Sequence, residues 1–128
     1  SFPTRRSSDL FISKAEDVNG GKLFVSKLEG FEPSMVKTAL DTISTKLGNS
    51  VVVLVSVINE NQISIGAKVS DNFIAKEINA GKIVQKIASL TVGKGGGRPN
   101  FAQGGGKDSS NLDNILLEIK EELKRGLN

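Results

Sequence analysis

The sequence predicts an α/β domain: a small mixed sheet with a βαβ unit and a hairpin, packed by helices, with a long glycine-rich loop. Three observations predict it. The run Val51–Ile58, VVVLVSVI, is β-branched and almost wholly apolar, the pattern of a central strand buried on both faces. Three segments set their apolar residues three or four apart, as helices with one buried stripe do. Between the last two of them lies GKGGGRPNFAQGGG, Gly93–Gly106, in which seven of fourteen residues are glycine.

The elements follow in order. Phe11–Gly21 is short and polar, and Asn19-Gly20-Gly21 signals a turn. Lys22–Leu28 suits a strand that ends at Glu29-Gly30. Pro33 fits the first turn of a helix whose stripe is Val36, Ala39, Leu40, Ile43 and Leu47, and Gly48-Asn49 stops it. Val51–Ile58 follows, then a tight turn at Glu60-Asn61. In Gln62–Ser70 the residues Ile63, Ile65, Ala67 and Val69 alternate with Ser64, Gly66, Lys68 and Ser70, so the two strands form a hairpin. The first strand, the helix and the second strand make a βαβ unit with an expected right-handed crossover. Asp71 is positioned to cap a short helix over Asn72–Ile78, and Asn79-Ala80-Gly81 separates it from a second helix, Lys82–Leu90. The glycine segment follows as a loop or an irregular strand. Asp108, Ser109 and Ser110 offer N-caps to a final helix, Leu112–Arg125, with Gly126 as its stop.

Composition narrows the function. The chain of 128 residues has no cysteine and no histidine, which removes thiolate chemistry, cysteine zinc sites and the commonest general base near neutral pH. No carboxylate pair stands out, so a self-sufficient enzyme is disfavoured. No apolar run reaches the ~18 residues of a membrane helix, and the expected location is cytoplasmic. The net charge of +3 is small, but charge is unevenly spread. Between Lys76 and Lys107 stand six basic residues (Lys76, Lys82, Lys86, Lys94, Arg98, Lys107) against one acidic, Glu77. A local patch of this kind attracts polyanions even on a nearly neutral chain.

The first ten residues, SFPTRRSSDL, are the in-frame translation of a common sequencing-adapter string. Residues 1–10 are therefore expected to be foreign to the gene, residues 11–21 to be a linker remnant, and residues 22–128 to form the domain. The natural protein is then expected to extend upstream.

The glycine segment admits three readings. It can be a flexible linker, a tight packing device that lets helices approach a sheet, or a presenter of backbone N–H groups and cations to phosphate. A linker of Gly and Ser lacks the core Arg98-Pro99-Asn100-Phe101-Ala102-Gln103 found here. No GxxxxGK[ST] occurs, and the segment follows a helix rather than a first strand, so neither nucleotide-binding fingerprint applies. Lys94, Arg98 and Lys107 bracket the glycines, which favours phosphate. Phe101 can stack on a base or plug into the domain's own core, the commoner fate. Lys76, Lys82 and Lys86 can track a backbone or stand as solvated helix residues.

GKGGGRPNFAQGGGKD resembles the glycine-rich signature of the C-terminal domain of alanyl-tRNA synthetases. Related DHH-type phosphoesterases carry a looser version with a histidine after the glycines, where Arg98-Pro99 stands here. The resemblance runs from about Val18 to the C-terminus and takes in the strand after Asn19-Gly20, the Leu47-Gly48 helix end, the Val51–Val57 strand, the Val69-Ser70 strand end and a helix start at Ala80-Gly81. It implies an RNA-binding module that contacts the outer corner of tRNA, links aminoacylation with editing and contributes to dimerisation. The implied parent is an ATP-dependent alanine–tRNA ligase. Its ATP-magnesium site and zinc-holding editing centre would lie upstream, leaving this stretch without a cofactor or activity alone. The implied partners are tRNA, the upstream domains and a second copy of the chain, with no membrane. The expected tRNA contacts are Lys94, Gly95, Gly96, Gly97, Arg98, Gln103 and Lys107, with Lys82 and Lys86 beside them. The rivals are the associated domain of a DHH phosphoesterase, handling nucleotides or nucleic acid, and a dimerisation module.

Overall fold

A computed structural model of the chain describes residues 16–18, 21–59, 61–75, 78–108 and 110–127. The expectations for residues 1–10 and for Lys76 lie outside these, as do parts of the turn at residues 60–61 and of the cap at residues 108–110. Among the described residues, no helix is long and apolar enough to cross a membrane.

Six strands form one mixed sheet in the order β1-β2-β3-β4-β6-β5. The strands are β1 (Glu16–Val18), β2 (Gly21–Glu29), β3 (Ser50–Asn59), β4 (Gln62–Val69), β5 (Lys94–Gly97) and β6 (Phe101–Gly106). The helices are α1 (Pro33–Leu47), α2 (Asp71–Ile74), α3 (Ala80–Leu90) and α4 (Leu112–Leu127). The βαβ unit is β2-α1-β3, whose strands pair in parallel. The hairpin is β3-β4, antiparallel with an irregularity between Val57 and Asn59.

β3 explains the sheet's position. Val51, Val53 and Val55 point into one core and Val52 and Leu54 into the other, all fully buried. The first core is closed by α3 and α4 through Ile83, Val84, Ile87, Leu112, Ile115 and Ile119. The second is closed by α1 through Val36, Leu40 and Ile43. Each helix thus covers one face of the sheet, as its single apolar stripe requires.

Several expectations are corrected. The segment 11–21 is not wholly a linker: Glu16, Asp17 and Val18 pair antiparallel with Leu23, Lys22 and Gly21. The short helix spans Asp71–Ile74, and its N-cap position is Ser70, because Asp71 already has helical geometry. The next helix begins at Ala80, two residues before the start read from its apolar stripe and where the resemblance puts it. Asn79, expected only to separate the two helices, caps the second: its side chain accepts from the Lys82 N–H at 3.1 Å. α4 runs through Gly126 to Leu127, since glycine lowers helix propensity by about 1 kcal/mol without excluding helical dihedrals. Gly48, at φ 75°, does end α1.

Of the two forms expected for the glycine segment, the strand occurs. Lys94–Gly97 and Phe101–Gly106 pair antiparallel as a hairpin on the sheet edge, and only residues 98–100 form its tip. The long glycine-rich loop is therefore a short turn between strands. The tip is tied down at three points. Arg98 N–H donates to the Phe101 carbonyl (2.9 Å), Ala80 N–H to Pro99 (2.8 Å) and Val69 N–H to Asn100 (2.9 Å).

Candidate functional site

Glycine lets the hairpin lie directly on α3. A Cβ built on Gly95 would sit 2.6 Å from Val84 Cγ1, and one on Gly104 2.8 Å from the same atom. A Cβ on Gly106 would meet Thr91 Oγ1 at 2.1 Å, and one on Gly97 the Ala102 backbone at 2.8 Å. At these positions the absent side chain serves close packing of backbone on helix and on neighbouring strand. Gly96 and Gly105 are different. A Cβ at Gly96 meets nothing nearer than the Gln85 side chain at 3.4 Å, and one at Gly105 meets only the Ile63 carbonyl at 3.2 Å.

Pairing register sorts the hairpin's side chains by face. Gly95 pairs with Gly104 on the α3 side, so Lys94, opposite Gly105, projects to the α1 side. Gln103 and Phe101 share that side. Gln103 Nε2 donates to the Pro33 carbonyl at the start of α1 (2.9 Å), and Phe101 packs on the core beneath α1. Phe101 is thus half-buried, one side packed against the core and the other facing the surface.

Two hollows flank the Gln103–Pro33 bond on this side. One is lined by Lys37, Gly96, Arg98 and Phe101. The other, about 860 Å³, wraps round the end of the sheet: Pro33, Ser64, Lys94, Gly105 and Lys107 line it, and so do Ser89 and Val92 at the end of α3. Lys37, Lys94, Arg98 and Lys107 are all exposed. The structure thus brings together Lys94, Gly96, Arg98, Gln103 and Lys107 of the expected contacts, on one strip beside α1. Gly95 and, by its pairing with Ala102, Gly97 belong to the opposite face, although Gly97 also borders the hollow beside Arg98.

The helix lysines separate. Lys82 stands with Pro99 near the hairpin tip. Lys86 is turned toward α4, where its ammonium pairs with Glu122 Oε2. Two residues outside the expected set join the strip, Lys37 and Ser64. Lys37 sits on the exposed side of an amphipathic helix, and nothing in the spacing of α1 distinguishes it from Lys46. Ser64 is a polar residue on the alternating strand β4, and its place opposite Gly105 follows only from register.

Where β6 leaves the sheet, the Thr91 carbonyl accepts from both Lys107 N–H (2.7 Å) and Asp108 N–H (2.9 Å). Asp108 in turn accepts from the Ser110 hydroxyl (2.6 Å) and the Ser110 N–H (2.9 Å). These two bonds, the hydroxyl first, hold its carboxyl below the usual aspartate range. Among the described residues, no cluster of three or more His, Cys, Asp or Glu side chains is placed to hold a metal ion.

Comparison with known proteins agrees with this architecture. The chain is 42% identical over 120 residues to an alanine–tRNA ligase of Nostoc punctiforme, covering 94% of this chain and 14% of that protein. It is 39% identical over the same length to the alanine–tRNA ligase of Trichormus variabilis. The chain therefore spans about one seventh of the length of these relatives. Among solved structures, the C-Ala domain of Aquifex aeolicus alanyl-tRNA synthetase superposes with a TM-score of 0.71 at 28% identity, covering 89% of this chain and 97% of that one. The DHH domain of a member of the s1p family of ribosomal proteins shares the fold, with a TM-score of 0.57 at 13% identity, covering 94% of this chain and 31% of that one. Residues 20–125 match the DHHA1 domain, and on that span the chain belongs to the DHHA1 domain family.

Proposed function

We propose that the chain is the C-terminal tRNA-contacting module of an alanine–tRNA ligase, meeting the outer corner of tRNA and helping aminoacylation and editing act on one molecule. The likeness to such ligases along 94% of the chain supports the parent protein. The observation that carries the RNA contact is the cationic strip on the α1 side of the hairpin, where Lys37, Lys94, Arg98 and Lys107 are exposed. Cations in a row read phosphate spacing and helix shape, not base identity. Phe101, the aromatic residue that lines the strip, is half-buried against the core beneath α1.

The test is tRNA binding by the 128-residue chain across a salt series. With about three phosphates neutralised, log K is expected to fall with log salt at a slope of a few units at most. The Lys94→Ala, Arg98→Ala double variant is expected to bind more weakly and with a shallower slope. A correctly folded double variant that binds tRNA like the parent would remove the strip as the contact surface.

A further inference from the structure

We propose that the end of the sheet where β2 and β3 terminate holds a phosphate-binding subsite, formed by the N-terminus of α1, Ser64 and Lys94. It goes beyond the tRNA reading, because it rests on geometry at the opposite end of the hairpin from Arg98.

The location comes first. β2 and β3 run in parallel and are joined through α1, so the N-terminus of α1 lies at their carboxyl ends. The 860 Å³ hollow lies at this end, with Pro33 of α1 on its wall.

Register supplies the floor. Ser56 pairs with Ser64, Ser64 with Gly105, and Gly105 with Lys94. One polar row therefore crosses four strands on the α1 side and ends on a cation. At a strand spacing of about 4.8 Å, Ser64 and Lys94 stand roughly 10 Å apart at the backbone. An extended lysine stem covers part of that distance and leaves a gap for a ligand between the two groups. Between them Gly105 adds no side chain, and nothing but a backbone carbonyl approaches the space a Cβ would take.

Ser64 supplies the evidence for a ligand. It is 2% exposed, lines the hollow, and its hydroxyl has no hydrogen-bond partner. Its neighbour in the row, Ser56, is equally buried, yet its oxygen accepts from the Phe31 N–H at 2.8 Å. A buried hydroxyl without a partner is uncommon and costly. The groups around it select an anion. Pro33 is the residue of α1 that lines the hollow, and Ser34 and Met35, next along the chain, are among the residues whose N–H groups a helix start leaves without intrahelical acceptors. Lys94 and Lys107 line the same hollow. Glu32, the N-cap residue, makes no side-chain cap bond and does not line it. A phosphate oxygen accepts from a hydroxyl, an amide and an ammonium at once, and a helix N-terminus favours its charge.

The chemistry is that of a phosphate group, carried either by an RNA backbone or by a free phosphomonoester. The experiment is an amide NMR titration of the 128-residue chain with inorganic phosphate. Saturable shifts at Ser34, Met35 and Gly105 are expected. Ser64→Ala, which leaves no polar group unpaired, is expected to weaken them about tenfold. Lys94→Gln is expected to weaken them as well, and Arg98→Ala to leave them unchanged. Absence of saturation at these amides, or a Ser64→Ala chain that titrates like the parent, overturns the subsite. Repeating the titration with saturating tRNA assigns the source: loss of the phosphate shifts points to an RNA phosphate, and their persistence to a small phosphorylated ligand. Either result upholds the subsite. Because the first titration contains no RNA, its outcome stands apart from whether the chain binds tRNA.

Discussion

Val84 lies against the bare backbone of Gly104: a Cβ on that glycine would stand 2.8 Å from Val84 Cγ1 and 2.6 Å from the Cα of Gly95. The backbone atom cannot move aside as a side-chain tip can. Gly104→Ala is therefore expected to destabilise the domain by about 1–3 kcal/mol, the range for forcing atoms into a filled interior. Gly105→Ala, on the open face, is expected to cost clearly less. Thermal unfolding of the two variants side by side checks the difference, and equal losses would remove the packing role assigned to Gly104.

Val92 has φ 56°, left-handed backbone that a β-branched side chain rarely adopts. It follows the cap residue Thr91, and the Gly93 N–H closes on the Ala88 carbonyl at 2.7 Å, the bonding of a helix end that usually employs glycine. The Val92 side chain is 64% exposed, so little packing is lost with it. Val92→Gly is expected to stabilise the chain by about 1 kcal/mol, measured as a rise in the urea midpoint without a change in slope.

The lysines of α3 and of the hairpin differ in surroundings. Lys86 pairs with Glu122 on α4, whereas Lys94 stands on the α1 side of the edge strand. Lys86→Ala is expected to change tRNA affinity less than Lys94→Ala. Filter binding at low salt, where phosphate contacts weigh most, distinguishes them. A larger loss from Lys86→Ala would move the contact surface to the α3–α4 side.

Asp108 titrates below the usual aspartate range because the Ser110 hydroxyl and N–H bond to its ionised form. A depressed carboxyl adds stability above its unfolded-state pKa and loses it as pH falls through the folded value. Ser110→Ala removes the larger of the two causes. The Asp108 carboxyl midpoint, followed by NMR, is expected to rise toward the usual value, and the first turn of α4 to exchange its amides faster at neutral pH. An unmoved midpoint would mean that the hydroxyl is not its anchor.

Much of the fold was legible where side chains carry a period. The unbroken VVVLVSVI could only be a strand covered on both sides, and the Val36–Leu47 stripe could only face one core. Legibility failed where side chains are missing or neutral. Glycine has no face, so nothing in GKGGG tells a strand from a loop; the contact of Gly95 and Gly104 with Val84 decides it. Asn79 reads as a separator of two helices because the residue types that stop one helix also cap the next. Lys94, Arg98 and Lys107 were found by charge, but the separation of Lys86 from them depends on where α4 places Glu122. The position of Ser64 opposite Gly105 exists only through pairing between β4 and β6, residues about forty apart in the chain.

Ala80 N–H reaches Pro99 at one end of α3, and the Thr91 carbonyl takes Lys107 and Asp108 at the other. The helix is buckled to the hairpin at both ends, with glycine backbone pressed along its length. Anyone transplanting the GKGGGRPNFAQGGG segment into another scaffold would have to carry residues 80–108 together with the strand Gln62–Val69, because the hairpin is held by the helix it is strapped to and by the strand it pairs with.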